Sequence, residues 1–492
     1  MAWDEDHDPG LPLQLGRCSN GEYLPPPLTE LRREAMRRAR AAADDHARRH
    51  GWSRRRFLLS SAGLASGLAI LQACSDEQSS SEGTRAGGVF RVPPTASSDP
   101  EEADATVHGT APPSSSSSSS STTAPASGDG DIVVDVQTHF LESGEFGSGF
   151  PQAACGDENC FSPQHWRDLV LGGSDTAVAV ISAIPVVGDA DPLSIEAMER
   201  GRSLAAELCG DDRVLIQGHA VPDVGSLDSA MASMAEVAAA HDLSAWKVYT
   251  HAPNGFFLDD HDRAAPAVGV PFLATVRATG VPVVAVHKGL SGGNRFASPV
   301  DIGPAAAANP DLSFLVYHSG YEGGGEGPYD PAGAGVDRLV RSVGEAGIGP
   351  GGNVYAELGS TWRNVMGNPD EAAHVLGKLL VAFGPERVLW GTDSIWYGSP
   401  QDQIAAFRTF EITPAFQERF GYPALTPESK RRILGQNAIE LFGITPPATG
   451  CATPAEQAAR RPTNRTLGPV SRRDIVATFL REHPWMGPAR RP

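Results

Sequence analysis

The sequence has few cysteines, no long apolar run and no excess of positive charge. Six cysteines among 492 residues are too few for a scaffold held together by disulfides. No stretch of about 20 apolar residues occurs, so an ordinary membrane-spanning helix is not expected. The net charge of −19 argues against a nucleic-acid partner, because few basic groups are left to neutralise phosphates. The chain is long enough for one large domain with appended segments.

A basic motif followed by a weakly apolar segment predicts export of the protein. The motif is Ser53-Arg-Arg-Arg-Phe-Leu58, and residues 59–71 lead from it to Gln72-Ala-Cys74. This order resembles a twin-arginine signal with a lipoprotein-type cleavage box, which implies a cell-envelope location. We therefore expect residues 1–74 to form an N-terminal arm and signal, with membrane contact only through a lipid anchor on Cys74. The alternative is a charged helix end followed by an ordinary Ala/Leu-rich helix.

Two further segments flank the predicted catalytic domain. Residues 75–131 are of low complexity and include an unbroken run of serines at 114–121. Such a composition cannot bury enough apolar surface to offset chain entropy, so it predicts a disordered linker. Residues 446–492 are rich in Pro and Arg and are expected to form a C-terminal extension.

Residues 132–445 alternate between strand-like and helix-like patterns. The run Val281-Pro-Val-Val-Ala-Val286 is apolar on both faces, which is typical of a parallel strand covered on both sides. No Gly-x-Gly-x-x-Gly fingerprint follows the first strand, which disfavours a dinucleotide-binding fold. Eight strand–helix repeats predict an α/β fold of the (β/α)8 TIM-barrel type. The predicted strands span residues 132–140, 176–184, 214–222, 245–250, 281–288, 312–320, 353–360 and 388–396.

Three histidines and one aspartate follow the ends of different predicted strands. His139, His287 and His318 end the first, fifth and sixth strands, and Asp393 follows the start of the eighth. In a barrel the carboxyl ends of the strands face one mouth. One such histidine alone is more often structural, but this repetition favours a site for Zn²⁺ or Mn²⁺ with an open position for water.

These residues, the Gly-Thr-Asp393-Ser motif and the helix containing Gln436-Asn-Ala438 resemble the amidohydrolase superfamily. The resemblance covers residues 132–444, and within the superfamily it is to the branch of aminocarboxymuconate-semialdehyde decarboxylase. It implies one divalent metal, Zn²⁺ first and Mn²⁺ as the alternative, bound by His139, His287 and Asp393. It also implies that His318 and Asp393 are catalytic, with His318 polarising the substrate or assisting proton transfer.

Gln137 departs from the pattern of that family, where a histidine or glutamate stands at the equivalent position. A neutral amide oxygen is a poorer zinc ligand than imidazole. The sequence leaves three roles open for Gln137: a weak metal ligand, a hydrogen-bond partner of water, or a mark of altered metal binding.

Four further side chains are predicted to bind substrate. Lys247 lies in the fourth strand, where it could bind a carboxylate or pair with Glu357 of the seventh strand. Arg363 and Trp396 lie just after the seventh and eighth strands, in predicted loops at the mouth. A solvated surface role for Arg363 and simple packing for Trp396 are the alternatives.

Cys155 and Cys160 follow the first predicted strand and enclose a small loop. An exported protein reaches an oxidising compartment, which permits a disulfide between them.

The sequence therefore predicts a metal-dependent hydrolase that acts on a small ester, lactone or amide. The first alternative is a metal-dependent, non-hydrolytic decarboxylase of an aromatic or unsaturated acid, because both reactions use the same residues. The second is a non-catalytic surface lipoprotein that binds a ligand in the same mouth. A small-molecule substrate is the expected partner, and the sequence is also compatible with a homo-oligomer.

Overall fold

The structure is a computed structural model, and it describes part of the 492-residue chain. The described residues are 11–17, 19–20, 23, 27–49, 51, 53–54, 57, 60–92, 131–142, 161–186, 191–291 and 293–460.

Eight parallel strands form one sheet in the order in which they occur along the chain, which confirms the predicted (β/α)8 barrel. Most of their residues are buried, as expected for strands covered on both faces. The first and last strands meet through the backbone, where His139 N donates to the Ser394 carbonyl at 2.6 Å. The strands are β2 Val133–Thr138, β3 Thr176–Ile181, β4 Val214–Ala220, β5 Ala245–Tyr249, β6 Val283–His287, β7 Ser313–Tyr317, β8 Val354–Glu357 and β9 Val388–Leu389.

Helices follow the strands and cover the outside of the barrel. Several begin with a serine whose side chain accepts a hydrogen bond from the first turn, as Ser162, Ser194 and Ser226 do. The helices of the barrel are Pro163–Val170, Ile195–Cys209, Leu227–Ala240, Gly269–Ala278, Ile302–Ala308, Val336–Glu345, Thr361–Val365, Pro369–Phe383, Gln401–Thr409, Pro414–Phe420, Pro427–Arg431 and Asn437–Phe442. A π-helical turn, Arg432–Gln436, joins the last two, so the predicted closing helix is present with one widened turn.

The last strand is much shorter than predicted. The sequence predicts extended backbone over residues 388–396, but β9 ends at Leu389. Asp393 has a positive φ of 58°, which an extended strand does not allow. Its N–H donates to the Gln137 carbonyl at 2.9 Å, so a turn directs the acid toward the first strand.

The N-terminal region contains more folded structure than predicted. A helix spans Glu30–Arg49, as expected, and a second spans Ser61–Ser81, with Cys74 buried within it. Strand β1, Gly88–Phe90, pairs antiparallel with β10, Phe410–Ile412. The prediction that the linker begins at residue 75 is therefore wrong, because residues 75–90 pack against the barrel and the first helix. Residues 93–130 lie outside the described part of the chain.

A disulfide joins Cys209, at the end of a barrel helix, to Cys451 in the C-terminal extension. The predicted Cys155–Cys160 pair lies outside the described residues, and so does most of the extension. After the disulfide comes a short helix, Pro454–Arg460. None of the described helices is long and apolar enough to cross a membrane.

Candidate active site at the barrel mouth

His139, Gln137 and Asp393 form one hydrogen-bonded group where the first and last barrel strands meet. His139 Nε2 lies 3.0 Å from Asp393 Oδ1, and Gln137 Nε2 donates to the same oxygen at 3.1 Å. His139 Nδ1 lies 2.7 Å from the Ser182 carbonyl, so Nδ1 carries a proton. The lone pair of neutral Nε2 therefore faces a carboxylate oxygen, and a proton or a cation must lie between them.

The second oxygen of Asp393 is also held. Ser360 Oγ donates a short hydrogen bond to Oδ2, and Asn20 Nδ2 donates to the same atom at 2.9 Å. Burial opposes ionisation of Asp393, but the hydrogen bond and charge of His139, with smaller contributions from His318 and Ser360, hold its pKa below the usual value. The acid is therefore ionised at neutral pH despite its burial.

His287 and His318 face each other on the opposite side of the mouth, with ring centroids 4.7 Å apart. His318 Nδ1 donates to the Gly359 carbonyl at 2.8 Å, which leaves the lone pair on Nε2. His287 Nε2 contacts the Gly289 carbonyl at 3.1 Å, which leaves the lone pair on Nδ1. Burial lowers the pKa of His318 to about 4 and that of His287 well below its usual value. Both imidazoles are neutral at pH 7.

Glu357 lies under the mouth and accepts hydrogen bonds from the backbone. Its two carboxylate oxygens accept from His318 N at 3.0 Å and from Gly359 N at 2.6 Å. Burial is the main cause that raises its pKa to about 8, so it holds a proton at neutral pH. A side chain at Gly391 would overlap Glu357, since a Cβ there would lie 1.7 Å from Oε1. Glu357 therefore supports the backbone of two strand ends as well as bordering the site.

Lys247 is fully buried inside the barrel. Its Nζ lies 3.8 Å from the ring centroid of Tyr317 and 4.4 Å from that of Tyr249. The aromatic faces stabilise the ammonium group without neutralising it. This position below the mouth is compatible with the predicted attraction of a carboxylate.

Arg363 and Trp396 are both at the rim. Arg363 is 2% exposed and lies in the helix Thr361–Val365 rather than in the predicted loop, so a solvated surface role is wrong. Trp396 is half-buried, and its ring lies 5.9 Å from His139 and 5.5 Å from Phe161 between centroids. Trp396 therefore covers one side of the predicted metal ligand.

The donor set fits a divalent metal in part. Two ligands of tetrahedral zinc lie about 3.3 Å apart, close to the 3.0 Å between His139 Nε2 and Asp393 Oδ1. Each of the three histidines has its other nitrogen bound to a backbone carbonyl, which is the usual arrangement of metal-ligating histidine. Within the described part of the chain, no three such side chains stand close enough to hold an ion without movement. His139 and Asp393 are thus positioned, and His287 or His318 would have to turn toward them.

Several residues at the site were not predicted. Ser360 and Tyr397 contact each other beside Asp393, and both follow strands whose ends were inspected only for imidazole and carboxylate groups. Asn20 belongs to the N-terminal arm, which was read as a polar tail. The alternation Leu11-Pro-Leu-Gln-Leu15 was the available signal, because it is typical of an extended segment with one buried face.

Comparisons with known proteins agree with this architecture. Residues 134–444 match the family model described as amidohydrolase. A TIM-barrel protein from Bordetella bronchiseptica is 15% identical, with a TM-score of 0.41 over 63% of this chain and 98% of that chain. A 5-carboxyvanillate decarboxylase from Sphingomonas paucimobilis is 14% identical, with a TM-score of 0.35 over 64% and 100%. A dihydroorotase from Campylobacter jejuni is 14% identical, with a TM-score of 0.36 over 64% and 84%.

Comparison with curated proteins found no match. The family model spans more than half of the chain and contains every barrel strand from Val134 to Leu389. This protein therefore belongs to the amidohydrolase family.

Proposed function

We propose that this protein is a metal-dependent hydrolase that acts on a small ester, lactone or amide at the barrel mouth. One observation carries the proposal: His139 Nε2 and Asp393 Oδ1 lie 3.0 Å apart, each fixed by further hydrogen bonds. Two acceptors held this closely form half of a metal site. A purely structural pair would not need the acid to be ionised and buried at the end of a barrel strand.

The residues would divide the work as follows. A divalent metal held by His139, Asp393 and a third imidazole supplies a Lewis acid and a water of lowered pKa. Asp393, ionised at neutral pH, accepts the proton of the attacking water. His318 is neutral, with its lone pair on Nε2, so it is placed to accept or relay a proton. This supports the second of its two predicted roles, because a ring without an Nε2 proton cannot polarise a carbonyl oxygen.

The test is a metal analysis of the purified full chain together with a product assay. We expect close to one Zn²⁺ or Mn²⁺ per chain, and turnover of at least one compound in a panel of lactones, esters and amides. The same panel should contain aromatic carboxylates, with CO₂ measured separately. Release of CO₂ without any hydrolysis product would contradict the hydrolase and favour the decarboxylase. Ligand binding without turnover would favour the non-catalytic lipoprotein.

We also propose that the protein is exported through its Arg54-Arg55 pair. The Cys209–Cys451 disulfide supports this location, because such bonds are uncommon in reducing compartments. Changing Arg54 and Arg55 to Lys should retain the protein in the cytoplasm, as measured by cell fractionation. The matched control changes Arg48 and Arg49 to Lys, which should leave export intact. Equal export of both variants would contradict the proposal.

A further inference from the structure

A short N-terminal segment lies across the barrel mouth. We call its described residues, 11–17, 19–20 and 23, the arm. Leu11, Leu13 and Leu15 are each at most 2% exposed, so alternate side chains of the arm are buried. Burial of a leucine contributes about 1.5–3 kcal/mol, and three of them anchor the arm firmly.

Polar contacts fix the backbone of the arm. Gln14 N donates to Asp402 Oδ2 at 2.9 Å, at the start of a barrel helix. Arg32 donates to the carbonyls of Leu15 at 2.9 Å and Gly16 at 3.2 Å. These bonds join the arm both to the barrel and to the helix Glu30–Arg49.

The far end of the arm reaches the proposed catalytic acid. Asn20 Nδ2 donates to Asp393 Oδ2 at 2.9 Å, and both groups are buried. Tyr23 continues the contact, since its hydroxyl lies 3.3 Å from that of Tyr397 and accepts from Asn364 Nδ2 at 2.8 Å.

With the arm in place, neither oxygen of Asp393 faces an open mouth. Oδ1 contacts His139 and Gln137, and Oδ2 accepts from Ser360 and Asn20. We infer that the arm is an intramolecular inhibitory segment, which places the Asn20 carboxamide where a substrate must approach Asp393. The inference rests on the proposed function, because it assigns a regulator to that same site.

The position of the arm in the chain provides a means of release. It precedes the predicted export motif, which begins at Ser53. Cleavage before Cys74 would separate the arm and both N-terminal helices from the barrel. The same processing event would then export the enzyme and open its active site, so activity would be withheld until the protein reaches the envelope.

Histidine modification with diethyl pyrocarbonate tests the inference on the full chain without any need for a substrate. The test variant combines Asn20→Ala with Leu13→Asp, which removes the contact with Asp393 and places a charge at a buried arm position. Loss of a hydrogen bond to a charged group alone shifts an equilibrium by about tenfold or more. We expect modification of His139 and His318, mapped by mass spectrometry, to accelerate at least to that extent.

Three controls separate release of the arm from unfolding. Exposed His261 reports reagent activity, and buried His374, which packs against Tyr422, reports global unfolding. Glu77→Gln changes an exposed ion pair of the N-terminal helices and should leave every rate unchanged. If His374 also reacts faster, Asn20→Ala alone replaces the double variant. Unchanged rates for His139 and His318 in a folded variant would overturn the inference.

Turnover of the same panel of lactones, esters and amides gives the second readout. We expect the released variant to exceed the wild type in kcat/KM by about tenfold, the shift expected for the lost hydrogen bond. Faster modification with unchanged, measurable turnover would show that the arm covers the site without inhibiting it, and would overturn the inference. Absence of turnover in every variant would count against the proposed function, while the modification rates would still decide whether the arm closes the mouth.

Discussion

The two sides of the barrel mouth hold their functional side chains in different ways. Beside β2 and β9, His139, Gln137 and Asp393 contact one another directly. Beside β6 and β7, His287 and His318 are fixed separately by backbone carbonyls and meet only ring against ring.

This difference separates a preorganised group from an adjustable one. On the β2/β9 side the donor atoms already lie at ligand-to-ligand distance, so little reorganisation is required for an ion to bind. On the β6/β7 side each ring has a set orientation, but a change of rotamer is needed before both rings face a common point. We therefore expect substitutions on the β2/β9 side to have the larger effects.

The largest effect is expected from Asp393→Asn. The amide keeps the shape of the acid but cannot accept a proton, and it opposes the N–H of Gln137 and Asn20 with donors of its own. Turnover should fall by about 10²- to 10⁴-fold, the usual contribution of a general base. Steady-state kinetics and a thermal melt check this, and Asp330→Asn, on a surface loop, is the control. Residual activity within a few-fold of the wild type would remove Asp393 from the chemistry.

A smaller effect is expected when the two sides are compared for metal affinity. His139→Ala removes a positioned ligand and should weaken Zn²⁺ binding by more than about 100-fold, beyond the range for indirect partners. Ser291→Ala removes only the hydroxyl 2.9 Å from His287 Nε2 and should cost about 10-fold or less. Competition with a chromophoric chelator measures both. Equal losses would show that the two sides are equally preorganised.

The smallest effect is expected from Ser360→Ala, and it appears as a change in pH dependence. The hydroxyl helps to hold the pKa of Asp393 below its usual value, so its removal raises that pKa. A smaller fraction of the acid is then ionised at acidic pH, and the acid limb of the kcat/KM profile should move to higher pH. Turnover above the limb should fall by no more than about tenfold. An unmoved limb with lower turnover would indicate that Ser360 acts only by packing.

Much of the fold was legible in the sequence. Runs such as Val281–Val286, apolar on both faces, indicate strands buried on both sides, and their alternation with helices allows few architectures. The histidines that end β6 and β7 follow directly from this pattern. The length of β9 did not follow, because residues 390–396 have the composition of a strand, and only the turn at Asp393 shows where the extended backbone ends.

The sequence by itself determined the barrel, and it marked His139, His287, His318 and Asp393 as the residues to examine, since strand periodicity and residue type are local properties. The tertiary structure alone decided which nitrogen of each ring is available, how both oxygens of Asp393 are held, and that Asn20 reaches that acid across 373 positions of sequence. Such contacts depend on how distant segments pack, and no local pattern encodes a distance between side chains that are far apart along the chain.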